Sequence, residues 1–196
     1  MPRIDAANIE EHVRLQTGRI LAAATTLFQD RGYRATDMED IALAVGLARN
    51  SLYRYYPNKD HILLACVQRD LVPFVEEMRQ LEAKFPDPMM RIGAWLDAQI
   101  DIATSPAHAT MELMGEIRQA APELRREIMV LHELPNNVLE HAVTQLLKGK
   151  RRDVSLLTSL IAGMVEAAAR QAINKKSNPV VVKRELGRAV GRVLEN

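Results

Sequence analysis

The stretch from Thr36 to Lys59, T-D-M-E-D-I-A-L-A-V-G-L-A-R-N-S-L-Y-R-Y-Y-P-N-K, constrains this chain more than any other part of it. It reads as two short helices joined by a glycine turn. Thr36 and Glu39 have the spacing of a capping box, in which the hydroxyl accepts the Glu39 N–H and the carboxylate reaches back to the Thr36 N–H. The first helix is therefore expected to start near Asp37. Ile41, Ala44 and Val45 share one side of it, and Gly46 supplies the left-handed backbone that stops it. Leu47 restarts an apolar stripe that continues through Leu52 and Tyr56. At about 100° per residue, Asn50 and Arg54 fall opposite Leu52, flanked by Ser51 and Tyr53. Helices shorter than about 12 residues barely persist alone in water, so the pair must pack on a third. The stripe Ile20, Leu21, Ala24, Leu27 and Phe28, closed by Gly32, provides it.

A short second helix whose outer face carries Arg49, Asn50, Ser51, Tyr53 and Arg54 is built like one that enters a major groove by its first residues. Arg and Asn are also the side chains that bond bidentately to guanine and adenine edges. Val45 to Lys59 holds three cations, Arg49, Arg54 and Lys59, and no acid, a local charge of 3 − 0 = +3. The whole chain carries only +1, from 26 basic and 25 acidic residues, so attraction to phosphate has to act by position. A chain that coats nucleic acid nonspecifically usually shows a global basic excess.

The run L-F-x-x-x-G at Leu27 to Gly32, then Thr36, Ile41, Ala42, V-G-L-A at Val45 to Ala48, S-L-Y-R-Y-Y at Ser51 to Tyr56 and N-K at Asn58 to Lys59 resembles the N-terminal domain of TetR-type transcriptional regulators. The likeness covers roughly residues 19 to 64. It implies an all-α homodimer: a three-helix helix-turn-helix domain over residues 1–58, then about six helices for ligand binding and dimerisation over residues 59–196. It implies further that Tyr53, Tyr55 and Lys59 hold phosphates and that Arg49, Asn50, Ser51 and Arg54 lie at or near base edges, with Thr36 at the start of the reading pair. The family usually has Phe where this chain has Tyr56.

The length of 196 residues suits two unequal units, each with a core. A single Cys66 rules out an internal disulfide and suits a reducing compartment; its place on the stripe of Ile62 and Leu63 reads as a small buried hydrophobe. Met1 to Glu11 is polar and mixed in charge and reads as a frayed arm. No signal sequence and no apolar run of about 18 to 20 residues stands out, so a cytoplasmic protein without a membrane anchor is expected.

Beyond Pro57, Asn58 is a good N-cap. An apolar helix follows to about Phe85, and Pro73 either kinks it or begins a second helix at its first turn. Pro86-Asp87-Pro88 is a break. The next helix, with Ile92, Trp95, Leu96, Ile100 and Ile102, is apolar around much of its circumference. Helices after Pro106 and Pro122 follow, Pro135 bends or splits the second, and Asp153 caps the one after Lys148 to Arg152. The last two helices carry small and apolar residues, Leu160, Gly163, Met164 and Ala167 on one, Leu186 and Val190 on the other. They read as half of a four-helix seam with a second copy.

Seven of the nine methionines, Met78, Met89, Met90, Met111, Met114, Met129 and Met164, lie after residue 60. Met fills core gaps and lines apolar pockets equally well. Trp95, Met111, Met114 and Met129 are the candidate apolar lining of an effector site, with His108, Glu112 and Glu116 able to orient a ligand. Those three recur every four residues, a spacing that can share a metal, but no second His or Cys cluster accompanies them. No nucleophile elbow, phosphate loop or catalytic constellation is visible, and no cofactor is expected. The expected function is a DNA-binding regulator, a repressor released from an inverted-repeat operator by a small apolar effector. A ligand-dependent activator, or a helical dimeric adaptor acting through a protein partner, is the alternative.

Overall fold

The computed structural model describes residues 6–113, 125–174 and 177–195, with side chains from residue 9 on and apart from 125–132. Among the described residues every regular element is helical. The order is α1 (Ala6–Arg31), α2 (Met38–Ala44), α3 (Arg49–Leu52), α4 (Lys59–Lys84), α5 (Pro88–Thr104), α6 (Ala107–Glu112), α7 (Arg125–Leu146), α8 (Val154–Ile173) and α9 (Pro179–Glu195). The expected all-α class is what the described residues have, with three helices up to Leu52 and six more from Lys59 on.

Contacts divide the chain into two compact units, residues 1–70 with 109–128 and residues 71–108 with 129–196. The first division falls inside α4. In the first unit α1 packs on α2 and α2 on α3, and Ile20, Ala24, Phe28, Ile41 and Leu52 are almost wholly excluded from water. Phe28 and Tyr33 meet as a tilted ring pair with centroids 5.4 Å apart. In the second unit α5 packs on both α8 and α9, which also pack on each other. Ile92, Leu96 and Ile100 of α5 and Leu157 and Ile161 of α8 are buried there.

The caps are local chemistry. Asp87 accepts the Met90 N–H at 2.8 Å, Asp153 the Leu156 N–H at 2.9 Å and Asn178 the Val180 N–H at 2.9 Å, each satisfying a donor that a helix start leaves orphaned. Both internal prolines are carried inside unbroken helices, Pro73 in α4 and Pro135 in α7. The arm expected at the N-terminus is helical from Ala6, and Arg14 there pairs with Glu11 one turn earlier at 2.7 Å. One helix, α8, is long and apolar enough to cross a membrane by length and composition, although it carries the ion pair Arg170–Glu166 at 2.6 Å.

Candidate nucleic-acid interface

The turn between α2 and α3 is made by backbone conformation. Gly46 has φ +70°, and a Cβ there would meet nothing within 4 Å, so glycine is required for its torsion and not for space. The Leu47 N–H returns to the Ala42 carbonyl at 2.9 Å. The capping box at the start of α2 is shifted by one residue from its expected place. Asp37 is the N-cap and accepts from Glu39 and Asp40, while the Asp40 carboxylate receives the Asp37 N–H at 2.9 Å. The backbone N–H of Asp40, then that of Glu39, holds the Asp37 carboxyl below the usual aspartate range. Thr36 is instead fully buried. Its hydroxyl donates to the Gly32 carbonyl at 2.9 Å, so it ties α2 to the end of α1 and has no face toward DNA.

With Leu52 fully buried, α3 turns Arg49, Asn50, Tyr53 and Arg54 to the solvent and leaves Ser51 and Tyr55 half-buried. The Arg49 guanidinium lies 5.8 Å above the Tyr53 ring, its Nη2 is 3.4 Å from the Tyr53 hydroxyl, and Glu39 stands 3.8 Å away. Bonding to that hydroxyl raises the Arg49 pKa further. Tyr56 is half-buried on the opposite side, and burial pushes its phenol up. Burial likewise raises the Cys66 thiol, whose Sγ lies 3.5 Å from the Leu21 carbonyl.

Lys59 is placed differently from the expected phosphate clamp. Its ammonium donates to the carbonyls of Tyr33 and Thr36, both at 2.8 Å, lies 3.5 Å from that of Arg34, and sits 4.5 Å over the Tyr33 ring. All three donors of the ammonium are directed at the loop between α1 and α2. Lys59 is a brace. The cap expected from Asn58 is present, its side chain accepting the His61 N–H at 3.1 Å.

The effector candidates do not form a described group. Trp95 is 3% exposed and its indole N–H donates to the Pro135 carbonyl at 2.8 Å, so it packs as core and offers a ligand no hydrogen bond. His108 and Met111 are half-buried and Glu112 is exposed. Met114 and Glu116 lie outside the described residues, as does the side chain of Met129. What the sequence did not single out is a cavity of about 390 Å³ lined by Met78, Arg79, Glu82, Arg91, Leu134, Asn137, Val138 and His141. Its only sequence signal is Arg91, a cation one turn before Trp95 on an otherwise apolar helix.

On α8, Leu160, Gly163 and Ala167 are exposed and Met164 is half-buried. Leu186 and Val190 of α9, expected to face a second copy, are instead 5% and 1% exposed, because they turn inward onto the chain's own helices. The outward large apolar residues of the two helices are Leu156 and Leu160 on α8 and Val180 and Val181 on α9. Between α8 and α9 runs a groove of about 360 Å³ with Met164, Ala167, Ala168 and Val181 among its walls.

Residues 20–66 match the family model of bacterial regulatory proteins of the tetR family, the segment that carries α2, α3 and the brace. The chain carries a tetR-type domain over these residues. Among curated TetR-type relatives it is 28% identical over 116 residues to the HTH-type transcriptional activator FasR of Mycolicibacterium smegmatis, across 59% of this chain and 53% of that one. It is 22% identical over 152 residues to the fatty acid metabolism regulator protein of Bacillus subtilis, across 76% of this chain and 78% of that one. The chain thus spans about half the length of the FasR relative. Among solved structures, FadR of Bacillus subtilis in complex with stearoyl-CoA superposes with a TM-score of 0.71 at 20% identity, covering 88% of this chain and 96% of that one. These TetR-type relatives are named as regulators, not enzymes.

Proposed function

We propose that the chain is a sequence-specific DNA-binding transcriptional regulator that acts as a homodimer on an inverted repeat and responds to a small, largely apolar effector. The single observation that carries the reading is the outer face of α3. Arg49, Asn50, Tyr53 and Arg54 are turned out together by a glycine-set turn and a buried Leu52, with Arg49 resting over the Tyr53 ring. Ser51 and Tyr55 flank them at half-burial and complete the contact set, with the tyrosines on phosphates and Arg49, Asn50, Ser51 and Arg54 on or beside base edges.

Dimerisation through α8 accounts for the exposed Leu156, Leu160, Gly163 and Ala167, and a two-fold dimer reads half-sites spaced by whole helical turns. The relatives support an acyl-chain effector, since one of them is a fatty acid metabolism regulator and a fold neighbour was solved with stearoyl-CoA. FasR is named an activator, which favours a ligand-dependent activator as the second reading.

Titrating the protein into DNA flanking its own gene, by fluorescence anisotropy across a salt series, tests the reading. Sequence preference with a steep salt slope is expected. An adaptor acting through a protein partner would show no binding even at low salt.

A further inference from the structure

The cavity between α4, α5 and α7 has a polarity that the sequence did not announce. Its floor is apolar, Met78, Leu134 and Val138, and around it stand Arg79, Arg91, Asn137 and His141 with a single acid, Glu82. Arg91 is the unusual member. Its side chain is 3% exposed, and its hydrogen bonds among the described residues go to neutral acceptors: Nε to the Phe85 carbonyl at 3.1 Å, Nη2 to the Pro86 carbonyl at 3.2 Å and Nη1 to Gln145 Oε1 at 2.9 Å. These bonds hold the guanidinium rigidly at the end of α4, but they do not neutralise it.

The only carboxylate near Arg91 among the described ion pairs is Glu82, and it stops short of docking. Its Oε1 lies 3.6 Å from Arg91 Nη1 and its Oε2 3.6 Å from His141 Nδ1, while its side chain is 57% exposed. Both distances exceed hydrogen-bonding range. The buried guanidinium is thus paired with a carboxylate that is loosely held and solvated, one that a better-placed anion can displace. Arg79, the outermost cation, is itself only loosely paired with Glu76 at 3.7 Å.

We infer that this cavity is a binding site for an organic anion with an apolar tail, the anionic head displacing the Glu82 carboxylate between Arg91 and His141 and the tail lying on Met78, Leu134 and Val138. Asn137 supplies a neutral donor beside the head. Carboxylate and phosphate heads share this chemistry. The inference rests on the proposed effector-responsive reading for its purpose, but not for its geometry.

The sole tryptophan reports on the site, because Trp95 lies one turn beyond Arg91 on α5 and bonds the carbonyl of Pro135, next to the lining residue Leu134. The full chain is titrated with decanoate, decyl phosphate and decanol, followed by Trp95 emission and by calorimetry. At least one anion should bind about tenfold or more tightly than decanol, the gain that hydrogen bonds to charged groups give, and the preferred anion names the head. Arg79→Gln and Glu82→Gln keep the interior intact, since both side chains are largely exposed. Arg79→Gln should weaken the anion, and Glu82→Gln, which removes the internal competitor, should strengthen it several-fold while leaving decanol unchanged. Equal binding of decanol and both anions, or an anion affinity that Glu82→Gln does not raise, overturns the site. Anion binding that passes these tests but leaves DNA anisotropy unchanged upholds the site and overturns the effector role instead.

Discussion

Replacing Lys59 with Met separates two roles that a lysine at the start of α4 can have. The side chain keeps its length and apolar stem, and only the ammonium is lost. That ammonium makes two 2.8 Å bonds, to the carbonyls of Tyr33 and Thr36, and lies 4.5 Å above the Tyr33 ring. Hydrogen bonds from a charged donor contribute about 1.5 to 3 kcal/mol each, and the half-exposed setting of Lys59 brings them to the lower end of that range or below it. With about 0.5 kcal/mol for the ring contact, the loss comes to about 2 to 3 kcal/mol. Thr36 is fully buried, so water replaces the lost donor poorly on that side. Urea unfolding reads this out by region. All four tyrosines, Tyr33, Tyr53, Tyr55 and Tyr56, lie in the unit of residues 1–70, and Trp95 lies in the other. With a slope of about 1 to 3 kcal/mol per M urea, the tyrosine-reported midpoint should fall by about 1 to 2 M. The tryptophan-reported midpoint should hardly move. DNA affinity measured far below that midpoint should keep its salt slope. If the variant instead loses affinity with an unmoved tyrosine midpoint and a slope shallower by about one, Lys59 binds a phosphate and the brace is wrong.

The remaining expectations are shorter to state. Asn50→Ala or Arg54→Ala should relax preference at one operator position by about 1 to 3 kcal/mol, whereas Tyr53→Phe should weaken all sequences alike; titrations on point-changed operators distinguish the two. Gly163→Glu should give a monomer by light scattering, because a Cβ there meets nothing within 4 Å in the chain itself, while the carboxylate would be set into the proposed seam. Asp37→Asn should flatten the acid limb of tyrosine-reported stability: a carboxyl held below its ordinary value stabilises the fold above about pH 4 and loses that contribution as pH falls through the lowered value. An unchanged acid limb would mean that the cap carries no linkage.

The reading pair was legible because its determinants are local. A glycine at φ +70° and an apolar stripe through Leu52 leave the outer face little freedom. Where the sequence misled, two local solutions competed and packing chose. T-D-M-E-D offers a box at Thr36 with Glu39 and another at Asp37 with Asp40, and burial of the Thr36 hydroxyl against the Gly32 carbonyl selects the second. Likewise α9 has apolar residues on more than one side. Nothing in its own periodicity says that Leu186 and Val190 turn inward while Val180 and Val181 stay out. Proline is a breaker on average, yet Pro73 and Pro135 are both carried through, and the carbonyl of Pro135 serves as acceptor for Trp95. The cavity around Arg91 was invisible because α7, far along the chain, closes it over the end of α4 and the start of α5.

Counting charges along the chain merges two quantities that the structure separates. The +3 of Val45 to Lys59 acts as a field on an approaching duplex wherever its donors point, because Coulomb attraction over about a Debye length does not depend on hydrogen-bond geometry. Specific contact does depend on it. Lys59 adds to the field, while its N–H groups already serve the α1–α2 loop. Arg49 at the start of α3 and Arg54 just beyond its end are exposed, and in the proposed reading they belong to both. Arg91 has the converse arrangement: it is buried, its described hydrogen bonds go to neutral groups, and Glu82 is a loose counter-ion at 3.6 Å, the partner that the proposed anion would displace. The same formal charge therefore does three jobs, steering, bonding and holding a loose counter-ion, and burial together with the identity of the nearest acceptors decides which.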